Sequence, residues 1–316
     1  MWKSKVIYIY FRNPGVPTVE EVLEKLLYTQ GYISPCNYGI LQKICWTRAS
    51  RTDKKVSAAM NIVSCKLHKY EDRSNEYIIE NLNKDLPDDI KIINILEVSS
   101  SFNAKDCSNN REYHYIMPSF CFQPKNLENE EKIMNFKLNS ELKEKLSKFC
   151  SAFKGTKKYH NYTRKLTFND GSSQRVIYEV SINEVYDVNG IEYIKFKLIG
   201  QSFLYNQIRK MIGMLVLCMR ENKSIEFFND SFKEDKFLTP KAPAEGLYLF
   251  KIDYSRYNNR KNQKKSNIEL TESDENKILE FGKFLQRKVN ECEENDSVFT
   301  NWIKKVDSKD IDIFGK

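Results

Sequence analysis

The stretch "SRTDKKVSA", residues 50–58, sets one carboxylate, Asp53, among Arg51, Lys54 and Lys55. Neighbouring positive charge favours the ionised form of a carboxylate. Held in a loop, such a group has the chemistry of a nucleophile or a base. The competing reading is a surface turn in which Asp53 bonds its own backbone. A second candidate is Arg209 in "GQSFLYNQIRKMIGMLV", which starts at Gly200. It stands between Ile208 and Met211 on an otherwise apolar helical pattern, where an unpaired charge is costly. It therefore needs a partner, unless it snorkels from the edge of a core. The third is Tyr113 in "REYHY", which shares a strand face with Tyr115 while His114 takes the other. Taken singly, each tyrosine fits a core aromatic with a hydrated hydroxyl.

The Asp53 loop lies between two predicted strands, residues 43–48 and 60–67. An apolar, β-branched run at 6–11 precedes them and is broken by Asn13, Pro14, Gly15 and Pro17. A helix follows, opened by a Thr18/Glu21 capping box and carrying Val22, Leu23, Leu26 and Leu27 at helical spacing. A helix at 76–82 and strands at 91–98 and 111–117 complete the order strand, helix, strand, strand, helix, strand, plus one strand more. That is the ferredoxin-like split βαβ pattern, an antiparallel sheet with helices on one face.

The polar stretch 124–135 connects to a second half. There a helix is expected at 140–153, with Leu142, Leu146 and Phe149 facing the core. Strands at 176–185 and 193–198 are joined by the hairpin residues Asp187, Asn189 and Gly190. A periodic helix is expected at 203–220 and a strand at 247–254. Gly213 lies four residues beyond Arg209 on the same side of that helix, where it admits a close neighbour. A basic segment, 256–267, reads as a solvated loop before an amphipathic helix near Thr271. An import signal at 260–265 ranks second to that reading. The expected divisions are 1–123, 136–255 and an extension at 256–316.

The 316 residues carry 51 Lys and Arg against 43 Asp and Glu, a formal charge of +8, with 18 Tyr and 19 Phe. Basic charge with many aromatics suits a nucleic-acid partner, because cations neutralise phosphates and rings stack on unpaired bases. An AT-rich genome would give the same bias. The eight cysteines form no Cys-x-x-Cys pair and the three histidines are scattered, so no metal is expected. The start lacks the pattern of a signal peptide and no run has membrane-spanning length, so a reduced, intracellular protein is expected.

Together with "SFNAKDCSNNREYHYIMP" from Ser101, "FKGTKKYHNYTRK" from Phe153 and "TPKAPAEGLYL" from Thr239, the Asp53 and Arg209 stretches occur in an order and separation that resembles the tRNA pseudouridine synthases. The likeness runs from about residue 40 to 255 and is strongest to the eukaryotic branch that modifies several tRNA positions. It implies a two-lobed α/β (α+β) fold, two ferredoxin-like halves forming a largely antiparallel sheet with a central RNA-binding cleft. It implies that Asp53 is the catalytic carboxylate, Tyr113 the ring that stacks on the target uracil, and Arg209 the basic partner of the carboxylate. Whether Asp53 attacks the sugar or removes a sugar proton stays open.

Arg51, Lys54, Arg111, Arg164, Lys165, Arg175 and Lys210 are the candidate RNA-backbone contacts, each of which could equally be solvated surface. The implied partner is tRNA, with other structured RNA open. No cofactor is implied, a monomer is expected, and the branch favours the nucleus, with cytoplasm and mitochondrion left open. The rival readings are a catalytically silent RNA-binding protein or chaperone on the same fold, and a structural component of a ribonucleoprotein. Two departures stand out. The family typically has glycine where this chain has Lys55, so a positive φ there would be strained. The family's glycine-aromatic segment after the first strand is missing from "YFRNPGVPTVEEV".

Overall fold

The computed structural model describes residues 2–11, 18–125, 135–260 and 267–310. In chain order the elements are β1 (Trp2–Phe11), α1 (Val19–Thr29), β2 (Thr47–Arg48), β3 (Ser57–His68), α2 (Asn75–Asp85), β4 (Ile90–Glu97) and β5 (Asn110–Pro118). They continue with α3 (Ser140–Ala152), β6 (Gly155–Lys158), β7 (Gln174–Val188), β8 (Ile191–Gly200), α4 (Gln207–Arg220), β9 (Leu247–Asp253), α5 (Glu272–Asp296) and α6 (Val298–Asp307). Short single-turn helices fill several of the connections. The fold is mixed α/β with mostly antiparallel pairing. It divides into two compact units, residues 1–111 with 248–285, and residues 112–247 with 286–316.

In the first unit β1 pairs antiparallel with both β3 and β4, and β2 pairs antiparallel with β3. The order β4-β1-β3-β2 is that of the split βαβ pattern. With β1 on one edge of β3, the other edge is left to β2 at Val63 and Ser64 and to β9, which pairs in parallel at Ser57 and Ala58. Ile7 and Ile9 lie at the centre of this sheet and are fully buried. The capping box of α1 forms as its sequence predicts, Thr18 Oγ1 accepting from Glu21 N while Glu21 accepts from Thr18 N. Leu23, Leu26 and Leu27 are its buried face.

The open edge of β4 is covered by a side chain. Asn83 of α2 donates to Ile92 O at 2.8 Å and accepts from Ile92 N at 2.7 Å, the two bonds a neighbouring strand would make. An edge so occupied no longer offers those groups to another chain. The segment predicted as a strand at 43–48 is strand only at Thr47–Arg48, because the backbone turns at Cys45, whose φ is +51°. The turn residues 13–17 and most of the segment 260–265 lie outside the described residues.

The second unit orders its strands β5-β8-β7-β6. The β7–β8 hairpin closes as predicted, with Asn189 and Gly190 at φ +53° and +85° and Asp187 Oδ1 accepting from Gly190 N at 3.0 Å. Positive φ at both central residues is the demand of a type I′ turn. Asn139 caps α3, whose Leu146, Phe149 and Cys150 are buried, while Leu142 is half-buried.

Helix α4 is buried along nearly its whole length, Arg209 being the partly exposed residue. It begins at Gln207 and not at 203, because Asn206 sits in the left-handed region at φ +60° and ends the preceding turn. Gln207 then reaches back, its Oε1 accepting from Leu204 N at 2.7 Å. At the other end Arg220 donates to Asp307 of α6 and to Gln123 O. A Cβ on Gly213 would lie 1.8 Å from Pro240 O and 2.7 Å from its carbonyl carbon. A backbone contact of that kind yields only if the segment moves off the helix. Gly213→Ala is therefore expected to destabilise by roughly 2 kcal/mol or more, as overpacking does. An urea-unfolding midpoint unchanged by the substitution would show that this contact is loose.

Candidate active site

In the first unit the loop carrying Asp53 is fixed at both ends. Upstream, Arg48 is ion-paired with Glu20 of α1, which also accepts from Trp46 Nε1 at 2.7 Å. Ala49 N donates to Ile62 O at 2.8 Å, and Asn61 of β3 donates to Ser50 O at 3.0 Å. Arg111 forks onto the Ala49 carbonyl with Nε at 3.1 Å and Nη2 at 2.7 Å. Downstream, Val56 N donates to Asp53 O at 2.9 Å, closing a turn over Lys54 and Lys55. Val56 and the first residues of β3 are buried, while Asp53 is half-buried.

Lys55 has φ +68°. Positive φ at the third position of a turn is where glycine is favoured. The loop thus holds the turn that the sequence departure put in question, with lysine in the left-handed conformation. Arg51, Lys54 and Lys55 are exposed around Asp53. Arg111, expected as an RNA-backbone contact, spends part of its guanidinium inside the protein as a strut under the Asp53 loop.

In the second unit β5 presents Tyr113 and Tyr115, both buried. Tyr115 donates to Pro243 O at 2.9 Å, while the Tyr113 ring meets Phe203 edge-on at a centroid distance of 5.3 Å. His114, on the other strand face, is also buried and bonds Glu112 at 2.8 Å; burial pushes its pKa down. Arg209 projects from the first turn of α4. Its Nε donates to Ala242 O at 2.7 Å, its Nη1 meets Asn206 Oδ1 at 3.3 Å, and its carbonyl accepts from Ala242 N at 3.1 Å. These bonds fix the side chain along its length and leave further guanidinium N–H groups to serve.

The remaining basic candidates divide. Arg164, Lys165 and Lys210 line one pocket of about 520 Å³, and Lys165 takes φ +63° at its rim. Arg175 is elsewhere, its Nη1 bonded to the carbonyls of Ser172 and Gln174 at 2.5 and 2.7 Å, and desolvation lowers its pKa. Lys210 is only 5% exposed. Burial, with Arg164, Lys241 and Lys236 adding like charge, pushes its pKa down to about 8. Sequence reasoning missed Lys236, Lys241 and His160 as members of this cluster, since only the fold brings residues 160–169, 210, 234–238 and Lys241 together. Among the described residues no group of three His, Cys, Asp or Glu could hold a metal ion, and no helix is long and apolar enough to cross a membrane.

Residues 149–255, which include Arg209 and Lys210, match the family described as tRNA pseudouridine synthase. The pseudouridylate synthase 1 homolog of Mus musculus is 33% identical over 244 residues, 77% of this chain and 56% of the relative. That of Homo sapiens is 33% identical over 253 residues, 79% of this chain and 57% of the relative. The tRNA pseudouridine synthase 1 of Saccharomyces cerevisiae is 27% identical over 327 residues, covering 79% and 59%. The chain thus spans a little over half the length of these curated relatives.

Lys210 allows a test of how the cluster is solvated. Its folded pKa is lowered, so below pH 8 the buried charge is a full cost. Between pH 8 and about 10.5 the unfolded chain binds more protons than the folded one, and stability rises with pH. Lys210→Met is expected to add up to about 3 kcal/mol at pH 7, a gain that fades as pH rises from 8 to 10.5. Denaturation of both proteins across that range checks it, and equal stabilities at pH 7 would mean that the ammonium group is well hydrated.

Proposed function

Because the chain is a member of the tRNA pseudouridine synthase family, we propose that it isomerises uridine to pseudouridine in tRNA. The observation that carries this reading is the family match over residues 149–255, joined to relatives whose similarity extends over 77–79% of the chain. The reaction conserves every atom. The bond between C1′ and N1 of the uracil breaks, the base turns, C5 bonds to C1′, and the proton that C5 gives up is balanced by one gained at N1. Neither an electron carrier nor a group donor enters that balance.

The roles follow the resemblance. Asp53 is the essential carboxylate, carried on a loop whose two ends are tied to β3 and to Arg111. Attack on C1′ and removal of a sugar proton are both consistent with a half-buried carboxylate among cations, and the proposal commits only to its necessity. Tyr113 supplies the aromatic ring for a uracil that must leave the stack to be reached. Arg209 is the supporting cation, pre-set by its bonds to Ala242 and Asn206. Arg51, Lys54, Arg164, Lys165 and Lys210 are assigned to phosphates. Other structured RNA remains within the proposed substrate class, the acting form is a monomer, and the nucleus is assigned on the branch resemblance alone.

Pseudouridine formation in an unmodified tRNA transcript is the direct test. Wild-type protein is expected to turn over, and Asp53→Ala to lose roughly a thousandfold or more in rate while binding the transcript within a few-fold. If wild type binds the transcript and leaves every uridine intact, the silent RNA-binding reading replaces this one. Lys55→Gly should change turnover by less than about twofold, since lysine already holds the positive φ that glycine would adopt. A large gain in that variant would mean that the lysine side chain itself obstructs the reaction.

A further inference from the structure

We propose that the pocket lined by His160, Arg164, Phe168, Lys210, Lys236 and Phe237 holds one nucleotide of the RNA strand other than the reacting uridine. The base lies between its apolar walls and the phosphate lies on its cations. The inference rests on the RNA reading above and adds to it a position on the substrate.

Size is the first argument. A pocket of about 520 Å³ lies in the range of small-molecule sites, roughly 300 to 1,000 Å³, and leaves ample room beyond a bare phosphate group. Chemistry is the second. The lining joins Phe168, Phe237, Leu166 and Leu238 to Arg164, Lys165, Lys210 and Lys236, with Glu234 as its carboxylate. Leu238 stands 55% exposed. A nucleotide has the matching division, a ring with apolar faces joined to an anion.

His160, whose ring meets Phe168 edge-on at a centroid distance of 5.4 Å, and Lys210 supply the third argument, because both bring buried polar groups to this pocket. Both ring nitrogens of His160 are buried without a hydrogen-bond partner, although the carbonyls of Lys233, Glu234 and Asp235 approach the ring. Such groups are ordinarily paired. Burial lowers the histidine pKa, and a neutral imidazole offers one donor and one acceptor, a pair suited to the polar edge of a base. Lys210 is a buried cation surrounded by the like charges of Arg164, Lys236 and Lys241. An anion bound there would reverse that unfavourable balance.

The pocket is not the place that Arg209 marks. Successive residues of a helix point about 100° apart, and while Arg209 bonds Ala242 and Asn206, Lys210 lines the pocket. The two sites therefore lie on adjacent faces of the first turn of α4. A strand of RNA following that turn would present one nucleotide to each.

The test measures binding of the full chain, at one fixed salt concentration, to unmodified tRNA carrying a single abasic site at each of about three nucleotides on either side of a reacting uridine. Wild type should lose roughly tenfold in affinity at one position, the loss expected for a stacked base. Phe168→Ala, or His160→Leu if that variant fails to fold, should weaken the intact RNA and abolish the abasic penalty at that position. Lys210→Met should weaken every RNA alike and, in a separate titration of the intact RNA over a range of salt concentrations, lower the salt dependence by about one phosphate. If the abasic penalties in the Phe168 or His160 variant match those of wild type at every position, the pocket holds no base and the inference fails, even where Lys210→Met weakens binding. The pseudouridine assay on the same samples separates the two readings. Isomerisation without coupling sinks the pocket alone, coupling without isomerisation sinks the enzymatic reading alone, and no RNA binding sinks both.

Discussion

The carbonyl oxygen of Pro240 occupies the space where residue 213 would carry a Cβ, so the segment 239–246 can run against α4 only because glycine stands there. None of that segment is helix or strand, yet side chains and backbone from elsewhere bond it at several steps. Thr239 Oγ1 donates to Asn161 O, Lys241 O accepts from Trp302, Ala242 exchanges bonds with Arg209, and Pro243 O accepts from Tyr115. Gly246 O accepts from Ile116 N, and its own missing Cβ leaves room for the Ile116 carbonyl and the Tyr115 ring. Irregular backbone is stable when buried only if its polar groups are satisfied in this way. The strap thereby sets the direction of Arg209 and packs the strand that carries Tyr113.

Two lysines show how the chain tolerates local cost near its proposed chemistry. Lys55 holds a left-handed backbone that disfavours any side chain, and Lys210 holds a charge out of water among other cations. Each carries a local cost, a positive φ in one and a desolvated charge in the other, that glycine or methionine in its place would avoid. Residues kept against local preference are commonest where a site needs them. At Asp53 the opposite device operates, with rigid neighbours on both sides: Asn61 and Arg111 bond the backbone just before it, and the turn to Val56 fixes the backbone just after it.

What could be read beforehand was what depends on neighbours in sequence. The capping box at Thr18, the Asn189–Gly190 hairpin, the periodicity of α4 and the demand for a small residue at 213 are all local signals, and each forms. The misses come from tertiary contacts overriding local pattern. Residues 43–45 are apolar enough for a strand but turn away at Cys45, and 203–206 continue the helical spacing until Asn206 enters the left-handed region. Strand β6 carries a weak pattern of its own and gains order from β7. Helix α6 is a miss of another kind: Phe299, Trp302, Ile303 and Val306 at helical spacing are a local signal that went unread, and Glu293 accepts from its first amides. The Arg111 strut and the cluster around Lys210 were out of reach, because each joins residues far apart along the chain.

Strand β9 joins the first unit's sheet at Ser57 and Ala58 through Tyr248 and Leu249, roughly 190 residues further along the chain. During synthesis at about 5–20 residues per second, the edge of β3 beside the Asp53 loop therefore waits on the order of ten to forty seconds for its neighbour to be made. The whole second unit up to that strand emerges in the interval. The nascent chain must thus hold β1, β3 and β4 together with an incomplete border, and closing so long a loop is an intrinsically slow step. Order of assembly is written into the topology: the loop bearing the carboxylate acquires its final flank only after the helix bearing Arg209 has already left the ribosome.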